Sequence, residues 1–422
     1  MSPRSQVKNN KSEVFSQERA VSPLPKLNDL LKHGVKGKRV LLRVDINVPM
    51  EHGKVSDATR IRKIVPTINA LAEKGARVIV LSHFGRPKKE YNPDLSLAPI
   101  ADALSKELGG KEVKFAVDCI GLAAKDSVKN LNDGEVLLLE NLRFHEGEEK
   151  NDPDFTRQLA DLGDYFVNDA FSCSHRAHSS IVGLAEKLPA YAGLLLDEEL
   201  SALEKILEKP KKPFAAIVGG AKISSKVDLL QNLVQKVDVL IIGGGMANTF
   251  LYAQGINVEK SLCEKDCKKV VDEIFKLAEK NNCQIILPTD AVVADKLEEF
   301  AECKVVDINS VPSGNMILDI GPRTILEVAN AISECQSLVW NGPLGAFEFR
   351  PFDVGTISLS RIVANQTANG DLVSVAGGGD ILSALHKAGL RNSFTYISTA
   401  GGAFLEWLEG KELPGIKILR KK

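Results

Sequence analysis

The sequence predicts an α/β protein made of two doubly wound (Rossmann-like) parallel-sheet domains joined by a hinge. Short apolar runs alternate with amphipathic helical segments, special turns follow the runs, and one segment rich in proline and lysine divides the chain. Repeated strand–helix alternation is typical of parallel sheets with helices on both faces. A length of 422 residues is also too great for one ordinary core, and suggests two or three domains.

Composition narrows the class of protein. The chain is 44% hydrophobic and 26% charged, with a formal net charge of −1, so no global basic excess favours a nucleic-acid partner. No apolar run approaches the roughly 18 residues of a membrane span. The seven cysteines are scattered without zinc-like spacing, which is typical of reduced thiols. We therefore expect a cytoplasmic protein with neither nucleic acid nor membrane as a partner.

The first 25 residues differ from the rest. They are polar, carry both signs of charge and lack the apolar core of a signal peptide. We predict a disordered extension over residues 1–25. A targeting peptide is the alternative, although the segment is not clearly amphipathic.

The first half alternates strands and helices up to residue 208. Glycines follow the first two helical patterns, at Gly75 and at Gly109, where they favour helix termination. The predicted strands are Arg39–Val44, Arg77–Ser82, Val113–Val117, Glu135–Leu139 and Tyr165–Val167. The predicted helices are Thr59–Lys74, Ser96–Leu108, Asp154–Leu162 and Glu198–Leu207.

The segment Lys209–Pro213 is the best candidate for the boundary, because its two prolines and three lysines are unsuited to a core. It separates a first domain, residues 26–208, from a second, residues 209–404. The predicted strands of the second half are Phe214–Val218, Asp238–Ile242, Gln284–Leu287, Lys304–Asp307, Ser337–Trp340, Leu372–Val375 and Phe394–Ile397. The predicted helices are Lys226–Lys236, Cys267–Lys280, Arg323–Cys335 and Ile381–Ala388.

The stretch Phe214–Lys226 combines a buried strand, a Gly219-Gly220 turn and a cationic segment. We predict a helix from Ala221 onward, with Lys222 and Lys226 on one face. A glycine turn before a helix N-terminus favours an anion, although such a turn is also common in α/β proteins without any ligand. The segment lacks the G-x-x-x-x-G-K-[ST] pattern of a Walker A loop.

Charged turns follow the strands of the first half. Any one of these arginines is more often a surface or salt-bridge residue, but several cations after successive parallel strands meet at one edge of a sheet. Asp45 and Asn47 can bind hydroxyl groups there. The pattern indicates a small, polyanionic, hydroxylated ligand such as a phosphorylated hydroxy acid. The residues of this edge are Asp45, Asn47, Arg60, His83, Arg86, Asn141, Arg143, His145, His175, Arg176 and His178.

Glycine-rich turns follow the strands of the second half. Glycine allows a backbone to approach phosphate closely, and Asp380 after Gly379 could hold Mg²⁺ against phosphate oxygens. Glu348 could bind a ribose hydroxyl. Because G-x-G-x-x-G is absent, a mononucleotide with its metal fits better than a dinucleotide. Facing anion and nucleotide edges suggest phosphoryl transfer, with Lys222 and Arg60 near the transferring group.

Long, unusual strings resemble the phosphoglycerate kinase family, in order, from about Lys26 to the C-terminus. They are RVDINVP (43–49), SHFGRP (82–87), LLLENLRFHEGEE (137–149), NDAFSCSHRAHSS (168–180), AIVGGAKISSK (216–226), LIIGGGMANTFL (240–251), LDIGP (318–322), WNGPLGAFE (340–348), VAGGGD (375–380) and STAGGA (398–403). The resemblance implies a monomer that transfers a phosphoryl group reversibly between 1,3-bisphosphoglycerate and MgADP, giving 3-phosphoglycerate and MgATP. It also implies that residues about 405–422 pack on the first domain.

The resemblance also implies roles for individual residues. Catalysis would use Arg60 and Lys222, helped by the backbone N–H groups of Gly378 and Gly401. The metal would lie next to Asp380. The phosphoglycerate site would comprise Asp45, Asn47, Arg60, His83, Arg86, Arg143 and Arg176. The nucleotide site would comprise Lys226, Asn341, Glu348, Gly377, Gly378, Gly379 and Asp380.

Four residues depart from the usual pattern of the family, and all lie in the nucleotide half. They are Ser225, Ile317, Ala400 and Ile381, of which Ile381 stands where a hydroxyl residue is common. We expect them to tune nucleotide affinity. A silent scaffold that kept the fold is the rival hypothesis, and the retained Arg60, Lys222 and Asp380 argue against it. A nicotinamide-dependent dehydrogenase is a second rival, against which the missing G-x-G-x-x-G pattern argues.

Overall fold

The first half forms a six-stranded parallel sheet. The computed structural model describes residues 23–87 and 92–421, so the extension predicted over residues 1–25 lies mostly outside the described residues. The strand order is β5-β6-β4-β1-β7-β8, with every neighbouring pair parallel. The strands are Arg39–Arg43 (β1), Met50–Glu51 (β2), Lys54–Val55 (β3), Arg77–Leu81 (β4), Val113–Ala116 (β5), Val136–Leu139 (β6), Tyr165–Asn168 (β7) and Ala190–Ala192 (β8), with β2 and β3 forming a separate hairpin.

Helices cover both faces of this sheet. Side chains alternate along β1, so that Leu41 packs in one apolar cluster and Leu42 in another on the opposite face. A strand that is buried on both faces reads as a continuous apolar run, which is why the pattern was visible in the sequence. The helices are Leu27–His33 (α1), Thr59–Glu73 (α2), Ala98–Glu107 (α3), Gly121–Lys129 (α4), Pro153–Ala160 (α5), Leu184–Lys187 (α6) and Leu194–Leu207 (α7).

The second half forms another six-stranded parallel sheet, in the order β11-β10-β9-β15-β16-β17. A small antiparallel sheet, β13-β12-β14, accompanies it. The strands are Phe214–Val218 (β9), Val239–Ile242 (β10), Gln284–Ile286 (β11), Asp290–Ala294 (β12), Lys304–Asp307 (β13), Met316–Ile320 (β14), Ser337–Asn341 (β15), Val373–Gly377 (β16) and Tyr396–Ser398 (β17). Two doubly wound parallel sheets confirm the predicted fold class.

One predicted strand belongs to a different sheet. Lys304–Asp307 was expected in the parallel alternation, but it pairs antiparallel with β12, with Val292 opposite Val305. Most of this strand is exposed to solvent. An antiparallel sheet tolerates one solvated face, whereas a central parallel strand is buried on both faces. The exposed side of this strand therefore explains its place in the small sheet.

The helix expected from Ala221 begins later, at Val227 (α8, Val227–Leu233), and the expectation was wrong. Lys226 precedes it with a non-helical φ of −135°. Two serines explain the delay: the Ser225 hydroxyl donates to the Lys222 carbonyl at 3.0 Å, and Ser224 binds Glu264 through its N–H and hydroxyl. Such local bonds compete with helix formation. Lys222 and Lys226 therefore do not share a helical face.

The remaining helices complete both faces of the second sheet and return the chain to the first. They are Gly244–Ala253 (α9), Lys268–Lys280 (α10), Pro322–Ser333 (α11), Val354–Ala368 (α12), Gly379–Lys387 (α13), Gly402–Leu408 (α14) and Pro414–Arg420 (α15). Within residues 23–87 and 92–421, no helix combines the length and the apolar character needed to cross a bilayer.

Two helices connect the halves. Helix α7 packs on α2 in the first half and on β15 and β16 in the second, and it buries Leu196, Leu200 and Leu203. Helix α15 packs against α6 and β8, where the Gly415 N–H donates to the Ser174 carbonyl at 2.8 Å. These contacts bring the carboxyl ends of the two sheets together.

Candidate active site

A basic pocket lies at the carboxyl edge of the first sheet. Its walls come from the turns after β1, β4, β6 and β7, joined by the turn after β17 of the second sheet, and it encloses about 530 Å³. Ligands of open parallel sheets bind beyond the carboxyl ends of the strands. The lining residues are Arg43, Asp45, Asn47, Arg60, His83, Gly85, Arg86, Arg143, Ser172, Cys173, His175, Arg176, His178, Thr399, Ala400, Gly401 and Gly402.

All seven residues predicted for an acid ligand line this basic pocket. Asp45 accepts hydrogen bonds from the Arg60 guanidinium at 2.9 Å and from the Ser172 hydroxyl at 2.5 Å. Burial raises the pKa of the Asp45 carboxyl, but the charge of Arg60 and the Ser172 bond outweigh it, so the pKa lies below its ordinary value. Arg60 also donates to the carbonyl oxygens of Asn47 at 3.0 Å and Thr399 at 3.4 Å. Arg60 thus links both sheets.

The histidines of the basic pocket are neutral at pH 7. Burial, reinforced by the nearby Arg43 guanidinium, lowers the pKa of His83 to about 3 and the pKa of His178 to about 4. Burial also lowers the pKa of His175. The positive charge of the pocket therefore comes from its five guanidinium groups, which keep their charge at any working pH. They belong to Arg43, Arg60, Arg86, Arg143 and Arg176.

Two residues of the predicted edge lie outside the basic pocket. The Asn141 side chain binds the backbone of Phe84 and Leu95 and so fixes the turn after β4. His145 binds Asp118 at 2.7 Å. The Asn141 and His145 side chains thus connect neighbouring turns through hydrogen bonds. Arg143 lies between them in sequence and faces the pocket, with its guanidinium donating to the Gly85 carbonyl at 2.7 Å.

An apolar groove of about 290 Å³ lies at the carboxyl edge of the second sheet. Its walls suit a flat, apolar ring, and three acidic side chains, Asp319, Glu348 and Asp380, line it as well. The lining residues are Gly220, Ala221, Gly244, Gly245, Ala247, Asn248, Leu262, Pro288, Leu297, Met316, Ile317, Leu318, Asp319, Ile320, Pro343, Leu344, Gly345, Ala346, Glu348 and Asp380.

The glycine turns of the second half surround a half-buried lysine. Lys226 donates from Nζ to the Gly219 carbonyl at 2.6 Å and to Asn341 Oδ1 at 2.7 Å, and Asn341 in turn donates to the Gly377 carbonyl at 2.6 Å. Burial lowers the pKa of Lys226 to about 8, although the Asp380 carboxylate opposes this shift. Gly378 has a φ of +110°, where a side chain would be strained, and a Cβ there would contact the Asn341 amide.

The predicted nucleotide residues therefore divide into two groups. Glu348 and Asp380 line the apolar groove, whereas Lys226, Asn341 and Gly377–Gly379 lie beside it at the ends of β9, β15 and β16. Lys222 is exposed in the turn before α8 and lines neither cavity, although its neighbour Ala221 lines the groove.

Three of the four unusual residues lie outside the lining of the apolar groove. Ile381 is fully buried in the core, so its side chain does not face the glycine turn. The Ala400 N–H donates to the Ser398 hydroxyl, and the Ser225 hydroxyl closes the turn before α8. Ile317, the fourth, lines the apolar groove with its branched side chain.

Sequence reasoning missed Arg43 and Ser172, both of which line the basic pocket. Arg43 is the last residue of β1 and is 1% exposed, and we had treated it only as part of a strand. A charged residue at the end of an otherwise apolar central strand, two residues before Asp45, was the available signal.

The geometry defines a two-sheet α/β protein in which an arginine-rich anion pocket meets a glycine-rich edge with an apolar groove, the arrangement of a small-molecule kinase. A sequence model described as phosphoglycerate kinase matches residues 27–411. The chain belongs to the phosphoglycerate kinase family, which confirms the resemblance seen in the sequence.

Individual relatives support the same assignment. The chain is 59% identical to the phosphoglycerate kinase of Methylorubrum populi, across 92% of this chain and 97% of that protein. It is 57% identical to the phosphoglycerate kinase of Rhizobium meliloti, across 92% of this chain and 97% of that protein. The solved structure of the Coxiella burnetii phosphoglycerate kinase superposes with a TM-score of 0.86 at 43% identity, covering 94% and 99% of the two chains. The solved structure of the Pyrococcus horikoshii phosphoglycerate kinase superposes with a TM-score of 0.77 at 31% identity, covering 94% of this chain and 98% of that chain.

Proposed function

We propose that this chain catalyses reversible phosphoryl transfer between 1,3-bisphosphoglycerate and MgADP, giving 3-phosphoglycerate and MgATP. In the reverse direction a carboxylate oxygen of 3-phosphoglycerate bonds to the γ-phosphorus of ATP, and the bond from that phosphorus to the ADP oxygen breaks. The observation that carries the proposal is the basic pocket, which the turn after β17 joins from the second sheet. That junction brings an anion site to the edge that carries the glycine turns.

The acid ligand belongs in the basic pocket. Guanidinium groups bind phosphate and carboxylate oxygens through paired N–H donors, and five of them line this cavity. Asp45 is ionised and can accept a hydrogen bond from the substrate hydroxyl. We assign Arg86, Arg143 and Arg176 to the anionic groups of the acid, with Asp45, Asn47, Arg60 and His83 completing the site.

The nucleotide belongs at the second edge, with its base in the apolar groove. Glu348 lines the groove and would accept a ribose hydroxyl, and Lys226, Asn341 and the turn Gly377–Gly379 would meet the phosphates. Asp380 suits Mg²⁺ because it is an exposed carboxylate in the first turn of α13, and carboxylate oxygens are ligands that Mg²⁺ prefers. Bound Mg²⁺ supplies charge neutralisation to the phosphate oxygens.

Transfer itself needs charge stabilisation between the two sites. Arg60 already reaches the backbone of Thr399 across the junction. We assign Arg60, Lys222 and the N–H groups of Gly378 and Gly401 to the transferring phosphoryl group. Lys222 is exposed and free to reach it once the halves close, and closure would exclude the water that otherwise hydrolyses ATP.

The organisation we propose follows from the same contacts. Residues 26–208 form the acid-binding domain and residues 209–404 the nucleotide-binding domain, with residues about 405–422 packed on the first. Both cavities are formed within one chain, which suits a monomer. The seven free cysteines suit the reducing cytoplasm.

A coupled assay tests the proposal. The protein receives 3-phosphoglycerate, Mg²⁺ and ATP, and glyceraldehyde-phosphate dehydrogenase reports the product through loss of NADH. We expect turnover above about 10 s⁻¹, an ordinary enzyme rate. Arg60→Gln should abolish most turnover. The matched control is Arg62→Gln, which removes an exposed arginine of the same helix that pairs with Glu107. A folded protein without turnover on ATP or GTP would favour the silent scaffold instead.

A further inference from the structure

A buried arginine lies beneath the basic pocket. Arg43 ends the central strand β1, and only 1% of it is exposed. Protein atoms occupy most of its donors: Nε donates to the Ser180 hydroxyl at 2.8 Å, and Nη1 donates to the Val44 carbonyl. Nη2 lies 3.0 Å from His83 Nδ1 and 3.6 Å from Cys173 Sγ. A side chain held by so many internal bonds has little freedom to bind substrate directly.

The contact with His83 fixes the chemical form of that ring. A guanidinium carries five N–H donors and no acceptor, so the Arg43–His83 bond requires an unprotonated Nδ1 that accepts. The ring is then neutral and carries its single N–H on Nε2. His83 lines the basic pocket, and both contacts to its ring in the described residues involve Nδ1, from Arg43 and from Cys173 Sγ at 3.9 Å. Nε2–H remains as the donor for a ligand.

We propose that Arg43 is a positioning residue that holds His83 in its neutral Nε2–H form, so that His83 donates one hydrogen bond to an anionic oxygen of the acid substrate. Only the identity of the substrate in this inference rests on the proposed function. The protonation form of the His83 ring is a property of the free protein and does not depend on it. His83 then acts as a neutral donor among five guanidinium groups. A sixth positive charge there would be repelled by the arginines and would titrate with pH.

A second layer of bonds holds Arg43 in place. The Ser180 hydroxyl, which accepts from Arg43 Nε, donates to the Glu148 carboxylate at 2.5 Å, and the Ser180 N–H donates to the same carboxylate at 3.0 Å. Glu148 is fully buried. A buried guanidinium and a buried carboxylate bridged by one hydroxyl compensate each other's charge, and they fix the guanidinium against the ring.

The charged groups around His83 favour the neutral ring. Arg43 faces it from β1, Arg143 from the turn after β6 and the neutral His178 from the segment after β7, and among the described residues Asp45 opposes the two arginines. Cys173 contributes a buried thiol on the Nδ1 side. Burial and the two guanidinium groups together keep the pKa of His83 far below the working pH. The geometry and the electrostatics therefore agree on one protonation state.

Nuclear magnetic resonance of the free wild-type protein tests the ring directly. Long-range ¹H–¹⁵N correlations distinguish protonated from unprotonated ring nitrogens, and His83→Gln assigns the signals of His83 among the seven histidines. We expect an unprotonated Nδ1 and a protonated Nε2 that do not change between pH 8 and pH 5. An Nδ1–H form, or titration near the ordinary pKa of about 6.5, would overturn the inference even if no variant folds.

Kinetics of Arg43→Lys and Arg43→Gln test the link to substrate. We expect KM for 3-phosphoglycerate to rise roughly tenfold at pH 7.5, the loss of about one hydrogen bond to a charged group, while kcat changes less than about twofold. The ratio of variant to wild-type KM, in which titration of the substrate cancels, should fall towards pH 5.5, because His83 of the variant no longer faces the Arg43 guanidinium and gains a proton there, whereas His83 of the wild type stays neutral. The matched control is Arg39→Gln, an arginine on the same strand that pairs with Asp164.

The outcomes separate the two hypotheses. A wild-type protein without kinase turnover refutes the proposed function and leaves the resonance result to decide the form of the ring. A folded Arg43→Gln protein whose KM ratio is independent of pH, or whose His83 keeps the wild-type form, overturns the role of Arg43. An equal rise of KM in Arg39→Gln would also overturn the role of Arg43.

Discussion

Nucleotide binding should take up protons because the half-buried Lys226 has a lowered pKa. Within the described residues its ammonium bonds to the Gly219 carbonyl and to Asn341, and burial lowers its pKa to about 8. A nucleotide phosphate placed beside Nζ adds negative charge and favours the protonated form, so the pKa rises. At pH 8 about half of the free protein carries a neutral Lys226, so binding takes up about half a proton, and at pH 6.5 almost none.

Isothermal titration calorimetry measures this uptake. MgADP is titrated into the protein at pH 8.0 and pH 6.5, each in two buffers whose ionisation enthalpies differ, and the slope of apparent enthalpy gives the number of protons. Lys226→Met should abolish the uptake at pH 8. Lys268→Met, which removes a lysine that binds the Ala253 carbonyl, should preserve it.

Three results would refute this reasoning about Lys226. Equal enthalpies in both buffers at pH 8 would mean that no group near the nucleotide changes protonation. The same uptake in wild type and in Lys226→Met would assign the proton to another group. Release of protons rather than uptake would contradict the sign of the shift, since a lysine with a lowered pKa can only gain protons when an anion binds.

Three further variants test other parts of the structure. Lys222→Ala should lower kcat by roughly a hundredfold, about 3 kcal/mol. KM and the melting temperature should change little, because Lys222 is exposed. Equal losses in kcat and in substrate binding would contradict its role in transfer. Arg86→Gln should raise KM for 3-phosphoglycerate about tenfold at unchanged kcat in the coupled assay, and an unchanged KM would remove Arg86 from the acid site. Gly219→Ala should lower the melting temperature sharply, because its Cβ would lie 1.8 Å from the Pro343 carbonyl oxygen. The matched control is Gly379→Ala, whose Cβ would have open space around it. Equal melting temperatures of the two variants would contradict the crowding at Gly219.

Apolar runs made the parallel sheets predictable. β1 and β9 are buried on both faces, so the three central residues of β1 and all of β9 are apolar, and the bounds of both strands agree with the prediction within a residue. The strand Asp290–Ala294 was missed, and Lys304–Asp307 was assigned to the wrong sheet. Lys304–Asp307 is mostly exposed and pairs antiparallel with Asp290–Ala294, so its short-range periodicity carried little information about its pairing.

The candidate site was predictable where function depends on residue type. Arginines and histidines in turns after parallel strands pointed to the basic pocket, since topology brings those turns together. The helix start near Lys222 was wrong because side-chain bonds of Ser224 and Ser225 decided it. Arg43 was missed because only three-dimensional packing shows a strand residue bonded to His83 from below.

The return of α15 to the first half has a consequence for the order of folding. Helix α15 buries Ile416 and Leu419 against α6 and β8, next to the turn that carries Ser174 and Arg176. On the ribosome the first half emerges long before this helix is synthesised. The sheet of that half can therefore assemble early, but the wall of the basic pocket beside Ser174 gains its final support only after residues 414–420 leave the exit tunnel. Anion binding should consequently mature late, when nearly the whole chain has been made.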